Sequence, residues 1–235
     1  FYEPARGLEY LFGWCWREDG EVQYDAVWGL DRDGEKAAFE RFVDWLEERR
    51  RRFPDLHVYH YAAYERVALR RLMGEHSVRE AEIDDWLRQE LLVDLYRVVK
   101  QALRAGVPSY SIKEIEKLYG FARTAAVEGG AESIVLFEQW IETGENTVLE
   151  GIQAYNEEDC RSTFELHEWL REIRPDDRPW RLPPDQRERT EVAEERAGFH
   201  TRDPAHSIDA HPAHWCQVAH QAVVTDRLPR HAVAA

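Results

Sequence analysis

The chain has 235 residues, of which 43% are hydrophobic, and its formal net charge is −15. This charge argues against a protein that coats nucleic acid by bulk electrostatics, although cations bound in an acidic cleft would still permit local contact. No apolar run approaches the roughly 18 residues that a membrane span needs. Three scattered cysteines favour a reducing compartment, the cytoplasm, over a disulfide framework.

The first part of the chain predicts a β-hairpin followed by a helix and a strand. Aromatic and β-branched residues fill Leu8 to Arg17 and Glu21 to Leu30, and Asp19-Gly20 between them is a strong turn signal. Helical periodicity runs from Glu35 to Arg52, and Leu56 to His60 has the pattern of a short buried strand. These elements predict a sheet that starts with a hairpin.

Helices dominate the residues that follow. Tyr64 to Met73 predicts a helix ended by Gly74, and Ser77 to Gln89 predicts a second helix. The sequence then predicts a strand at Val93-Asp94-Leu95 that passes into helix. A capping box at Ser111 predicts the start of the next helix, and Gly120 predicts its end. Two further helices are predicted, one from Glu132 to Thr143 and one from a capping box at Thr147 to about Ile173. Strands first and then helices interleaved with strands indicate an α/β or α+β domain over residues 1–175.

Beyond Pro175 the composition changes, and we predict a poorly ordered tail or linker for residues 176–235. A misread frame would give a similar composition, so both interpretations stay open. The tail also contains residues with loosely ligand-like spacing, namely His211, His214, Cys216 and His220. No partner cluster accompanies them, so we do not predict a zinc site there.

Tyr155 and Asp159 are the most informative pair in the chain, since a spacing of four places them on one face of a helix. A carboxylate can hold a hard cation, and a phenol beside it can orient a water molecule toward a phosphate. Glu65 falls in the first turn of a predicted helix, where the helix dipole favours an anion. Carboxylates that converge from separate elements suit a two-metal phosphodiesterase. The alternatives are a core tyrosine and ordinary capping or surface acids.

The segment Tyr155-Asn156-Glu157-Glu158-Asp159-Cys160 resembles the third motif of 3′–5′ exonucleases of the ribonuclease H-like superfamily. The segment Val58-Tyr59-His60-Tyr61-Ala62-Ala63-Tyr64-Glu65 is similar to the second motif, and Val93-Asp94-Leu95 and Tyr110 to Ile115 resemble the segments that follow it. Their order is most similar to the YprB-like exonuclease domain of the RecB-like putative nuclease family, over about residues 7–173.

This resemblance implies a role for each matching residue. Asp159 would be a metal ligand, Tyr155 would position the attacking water, and Glu65 would be the second-motif ligand, where aspartate is usual. His60 would contact phosphate or a ligand, unless it is a core histidine bonded to the backbone. The resemblance further implies two Mg²⁺ or Mn²⁺ ions, a DNA or RNA substrate cut from its 3′ end, and other nuclease or helicase domains as partners.

The same resemblance implies an Asp-x-Glu pair on a first strand, which we expect to precede the hairpin and therefore Phe1. Asp19-Gly20-Glu21 and Asp33-Gly34-Glu35 have this spacing, but both are better explained as turns. We therefore expect a ribonuclease H-like mixed sheet flanked by helices, with the first strand missing and the fragment inactive by itself. The alternative is a non-catalytic module of this fold that binds nucleic acid or acts as a scaffold.

Two other features favour structural roles over functional ones. The run Arg49 to Arg52 closes a helix, where cations complement the carbonyl end of the dipole. Trp14, Trp16 and Trp28 alternate as residues of a sheet core do, which we favour over a platform on which bases stack.

Overall fold

The computed structural model describes residues 1–127 and 129–178, together with the backbone of residues 222–225. The strands are β1 (Tyr2–Glu3), β2 (Leu8–Glu9), β3 (Leu11–Glu18), β4 (Glu21–Trp28), β5 (His57–His60), β6 (Leu92–Asp94) and β7 (Ala222–Thr225). The helices are α1 (Arg32–Arg52), α2 (Tyr64–His76), α3 (Glu80–Arg88), α4 (Leu95–Ala102), α5 (Ile112–Tyr119), α6 (Gly130–Thr143) and α7 (Asn146–Glu172).

The main sheet has five strands in the order β4-β3-β7-β5-β6, while β1 and β2 form a separate antiparallel pair. β3 and β4 form the hairpin that the sequence predicts, and Asp19 (φ 50°) and Gly20 (φ 87°) make its turn. A two-residue hairpin turn of this kind needs positive φ at both positions, which Asp-Gly accepts readily. β5 and β6 pair in parallel, so the sheet is mixed, as the predicted fold class requires.

β7 connects the hairpin to the β5–β6 pair. It runs parallel to β3, with Trp16 opposite Val224, and antiparallel to β5, with Val58 opposite the same residue. This strand falls inside the stretch 176–235, so at least these residues contribute to the sheet, and the sequence did not predict it. Residues 179–221 and 226–235, which include the spaced His211, His214, Cys216 and His220, lie outside the described residues. Their description as a tail stays a prediction.

Helices pack on both faces of the sheet because successive strand residues point to opposite sides. On β3, Trp14 faces a core formed with α1, α2 and α3, whereas Cys15 packs against Cys160 on α7. The buried members of the larger core are Trp14, Phe39, Phe42, Val43, Leu46, Leu56, Val58, Leu69, Leu72, Ile83, Trp86 and Leu91. In the part of the chain that the structure describes, no helix has the length and apolarity to cross a membrane.

Some predicted helix ends are correct and others are wrong. Gly120 (φ 74°) ends α5 in the left-handed conformation, as predicted. Ser111 precedes the first residue of α5, but its side chain does not make the capping hydrogen bond of the predicted capping box. Gly74 does not end α2, which continues to His76 until Ser77 (φ 52°) adopts that conformation instead. Thr147 does not cap α7 either, since the helix has already begun at Asn146.

Asp33-Gly34-Glu35 and the run Arg49 to Arg52 both belong to α1, at its start and at its end. Asp31 caps α1 by accepting a hydrogen bond from Gly34 N at 2.7 Å, and Glu35 is buried in the first turn. Asp33-Gly34-Glu35 therefore belongs to a helix entry. Arg49 to Arg52 form the last turn of α1, as expected for cations that complement a helix dipole.

The tryptophans that the sequence predicts for the sheet core are packed inside the protein. Trp14 has no exposed surface, and Trp16 lies 5.1 Å, between ring centroids, from Trp45 on α1. Trp28 donates a hydrogen bond to Gln153 on α7 at 3.0 Å. These contacts favour the core interpretation over a stacking platform.

Candidate functional site

The central residues of the site lie on α7, which crosses one face of the sheet. Tyr155 is 2% exposed and Asp159 is 0% exposed, so the helix face that their spacing predicts them to share is buried. Asn156 fixes this part of the helix to the hairpin, because its Oδ1 accepts a hydrogen bond from the Tyr24 hydroxyl at 2.8 Å. The helix approaches β3 so closely that a Cβ at Gly13 would lie 1.7 Å from this oxygen.

The buried carboxylate of Asp159 forms an ion pair with Arg123, a residue that our reasoning from sequence missed. Arg123 Nη1 lies 2.5 Å from Asp159 Oδ1, and Arg123 Nη2 lies 2.5 Å from Glu116 Oε1. Burial lowers the pKa of Arg123, but the hydrogen bond with Glu116 and the charge of Asp159 raise it more, so the guanidinium stays charged. One cation therefore bridges two buried carboxylates on α5 and α7.

The loop that carries Arg123 is attached to the same segment of α7. Glu158 Oε1 accepts hydrogen bonds from the backbone N–H groups of Thr124 at 2.5 Å and Ala125 at 2.7 Å. The Thr124 hydroxyl donates to the same oxygen at 2.8 Å. Glu158 therefore binds the backbone of this loop, and the adjacent Asp159 binds its Arg123.

Tyr155 is enclosed by cations and by another aromatic ring. The guanidinium of Arg123 and the ammonium of Lys113 each lie 5.4 Å from the centroid of its ring, and the ring of Phe1 lies 5.7 Å away. Burial and the charge of Asp159 raise the pKa of the Tyr155 phenol above its usual value of 10.0. The phenol therefore stays protonated near neutral pH and can donate a hydrogen bond.

Glu65 lies in the first turn of α2, as predicted, and is 9% exposed. Its Oε2 is 3.2 Å from Nδ1 of His60, which also donates to the backbone carbonyl of Ala62 at 2.6 Å. Burial lowers the pKa of His60, but the hydrogen bond and charge of Glu65, the charge of Asp94 and the hydrogen bond to Ala62 together raise it more, so the net shift is upward. His60 is therefore a buried histidine bonded to the backbone, and it also contacts Glu65, the candidate metal ligand.

Glu9 is another buried acid, one that our reasoning from sequence also missed. It is 3% exposed, and its Oε1 accepts hydrogen bonds from the Tyr64 hydroxyl and, at 2.7 Å, from Arg71. In the sequence, only its position between the apolar residues Leu8 and Tyr10 indicates that Glu9 is buried. Glu9 and Glu65 also line a cavity of about 60 Å³.

The side chains present do not fit a divalent cation in this arrangement. Among residues 1–127 and 129–178, no group of three or more histidines, cysteines and acids is placed to hold a metal ion. The carboxylates named by the motifs each have a protein partner instead, Arg123 for Asp159 and His60 for Glu65. Cation binding at Asp159 would require its partner to move.

Comparison with known proteins supports the fold. No curated protein sequence matches the chain, and no solved structure matches it. A family model described as the RNase_H superfamily matches residues 2–171, which span β1 to α7 and include Glu65, Tyr155 and Asp159. The chain therefore belongs to the ribonuclease H superfamily.

Proposed function

We propose that the chain is the nuclease domain of a metal-dependent 3′–5′ exonuclease that hydrolyses phosphodiester bonds in DNA or RNA. Membership of the ribonuclease H superfamily supports a nuclease-like function. The observation that carries the proposal is the complete burial of Asp159 beside a protonated Tyr155. A buried carboxylate costs several kcal/mol of desolvation, so its presence in the core indicates a role beyond folding.

Each residue of the site would contribute through its own chemistry. The Tyr155 phenol would donate a hydrogen bond that orients a water molecule or a phosphate oxygen. Asp159 and Glu65 would supply oxygens to the Mg²⁺ or Mn²⁺ ions, two of which we expect in the complete site. Such ions activate the water and offset negative charge on the phosphate.

We further propose a family branch, partners and a cellular location for the domain. The order of the motifs supports the YprB-like branch of the RecB-like nucleases, in which we expect nucleic acid and further nuclease or helicase domains as partners. Cys15 and Cys160 are buried and not joined in a disulfide, which supports the cytoplasm as the location.

A second candidate function is a non-catalytic module that binds nucleic acid or acts as a scaffold. The ion pair between Arg123 and Asp159 favours it, because a carboxylate already neutralised by the protein does not need a metal. Both candidate functions use the same fold, and they differ in whether the site hydrolyses nucleic acid.

The test compares the complete natural polypeptide, including any sequence that precedes Phe1, with residues 1–235. Both are incubated with 5′-labelled single-stranded DNA and RNA in Mg²⁺ or Mn²⁺. We expect the natural polypeptide to give a ladder of products shortened from the 3′ end, and residues 1–235 alone to give none. Asp159→Asn should abolish the ladder, and Tyr155→Phe should slow it about a hundredfold.

The matched control is Glu157→Gln on the same helix, where the acid pairs with Arg161 at the surface, and it should leave cleavage unchanged. Binding of the same oligonucleotides is measured in parallel by fluorescence anisotropy. If the natural polypeptide binds without any metal-dependent cleavage, the non-catalytic module is the correct function.

A further inference from the structure

We propose that Arg123 is a built-in counter-cation for Asp159, and that a divalent ion reaches this carboxylate only by displacing the guanidinium. The inference rests on the proposed function in taking Asp159 as the carboxylate that serves a metal. It starts from the disagreement between the motif, which implies a metal ligand, and the structure, which places an arginine there.

The burial of Asp159 makes a counter-cation necessary. Its side chain is 0% exposed, and an unpaired charge in such a position strongly disfavours folding. Arg123 Nη1 at 2.5 Å supplies the opposite charge. The chain can therefore bury this carboxylate in the absence of any metal.

Arg123 is well held in this position. Its Nη2 donates to Glu116 Oε1 at 2.5 Å, its Nε donates to Glu116 Oε2 at 3.0 Å, and its guanidinium lies over the ring of Tyr155. Glu116 also accepts a hydrogen bond from the Ser162 hydroxyl on α7 at 3.0 Å. Two contacts to one carboxylate fix the orientation of the guanidinium.

A divalent ion and the guanidinium would compete for Asp159. Both are cations, and like charges within a few ångströms repel strongly where water is excluded. Arg123 belongs to the segment between α5 and α6, so its withdrawal does not require unwinding of either helix. Glu116 would remain as its partner, which makes displacement from Asp159 alone feasible.

The experiment measures Mn²⁺ binding to residues 1–235, without nucleic acid, from the electron paramagnetic resonance signal of the free ion. Arg123→Met alone would leave Glu116 buried without its cation, so it is combined with Glu116→Gln. We expect the double variant to bind Mn²⁺ at least about tenfold more tightly than the wild type. Adding Asp159→Asn should remove this gain.

The matched control is Glu157→Gln combined with Arg161→Gln. It removes an ion pair from the same helix with the same change in net charge, and it should leave Mn²⁺ affinity unchanged. Equal affinity of the wild type and the Arg123 double variant would overturn the proposal, as would a gain that survives Asp159→Asn.

If the double variant does not fold, the wild type answers the same question by nuclear magnetic resonance. The Nε–H signal of Arg123, assigned by its loss in Arg123→Lys, should shift during titration with Mg²⁺. A signal that does not move at saturating Mg²⁺ overturns the proposal. Neither readout requires cleavage, so a failure to detect nuclease activity would leave this inference intact. A failure of the Mn²⁺ or Mg²⁺ experiments would likewise leave the proposed nuclease function intact.

Discussion

Asn156 and Gly13 set the distance between α7 and the sheet, and with it the depth at which Asp159 is buried. Asn156 is fully buried and is fixed by the Tyr24 hydroxyl. Gly13 leaves the space that the amide occupies, since an added Cβ would also lie 2.8 Å from Asn156 Cγ. A short polar side chain enclosed in this way has no room to move aside.

We therefore predict that Gly13→Ala lowers the free energy of unfolding by about 1–3 kcal/mol, through overpacking against Asn156. Urea denaturation followed by circular dichroism measures this change. The control is Gly74→Ala inside α2, where an added Cβ meets no described atom of a neighbouring element within 4 Å. This substitution should raise stability by up to about 1 kcal/mol. A Gly13→Ala variant as stable as the wild type would contradict the close approach.

At the scale of elements, the turn from β5 into α2 organises one side of the site. Ala62 adopts a positive φ of 71°, its N–H donates to Asp94 Oδ1 at 2.9 Å, and its carbonyl accepts from His60. Asp94 also caps α4 by accepting from Tyr96 N at 2.9 Å. One strained turn thus positions β5, α2 and α4 together and orients Glu65.

The ion pair between His60 and Glu65 predicts a pH-dependent stability. The pKa of His60 is raised above the unfolded value of 6.5, so charged His60 stabilises the fold below that pH. This contribution disappears as pH rises through the higher folded pKa. The stability lost in His60→Gln should therefore be larger at about pH 6 than at about pH 8.5.

Urea denaturation of both proteins at the two pH values measures this difference. Glu65→Gln should remove most of the pH dependence, because Glu65 provides the main interaction that raises the pKa of His60. A stability difference that stays constant, or grows with pH, would show that His60 is not charged by this contact.

The elements that the sequence predicted correctly carry local signals. Asp19-Gly20 needs only its own backbone preference to form a hairpin turn, and Gly120 needs only its own to end α5. Gly74 carries the same signal, but α2 continues past it to His76, whose ring contacts the buried Glu35. The shared helix face of Tyr155 and Asp159 was predictable from their spacing of four residues. Their partner Arg123 was not, because the loop after α5 meets α7 only in the folded chain.

At the scale of the whole molecule, β7 holds two halves of the sheet together. The β3–β4 hairpin and the β5–β6 pair are neighbours of the same short strand, which pairs with both through residues 222–225. This pairing joins a segment near the end of the chain to elements near its beginning. Composition alone did not predict it, since the surrounding stretch has the character of a tail.

We predict that Val224→Pro destabilises the protein by about 1–3 kcal/mol, because proline in a central strand removes the N–H donor. Thermal unfolding measures the loss, and faster amide hydrogen exchange in β3 and β5 locates it. Val233→Pro, the same substitution outside β7, is the control. Equal effects of the two prolines would show that β7 is dispensable for the sheet.

The role of Asp159 is tested most directly by X-ray diffraction at a wavelength that gives an anomalous signal from manganese, on crystals of the complete natural polypeptide soaked in Mn²⁺. We expect an anomalous peak within about 2.5 Å of the Asp159 carboxylate, with Arg123 withdrawn from it and still bonded to Glu116. A crystal that binds manganese elsewhere, while Arg123 Nη1 keeps its 2.5 Å contact with Asp159, would contradict the role of this residue as a metal ligand.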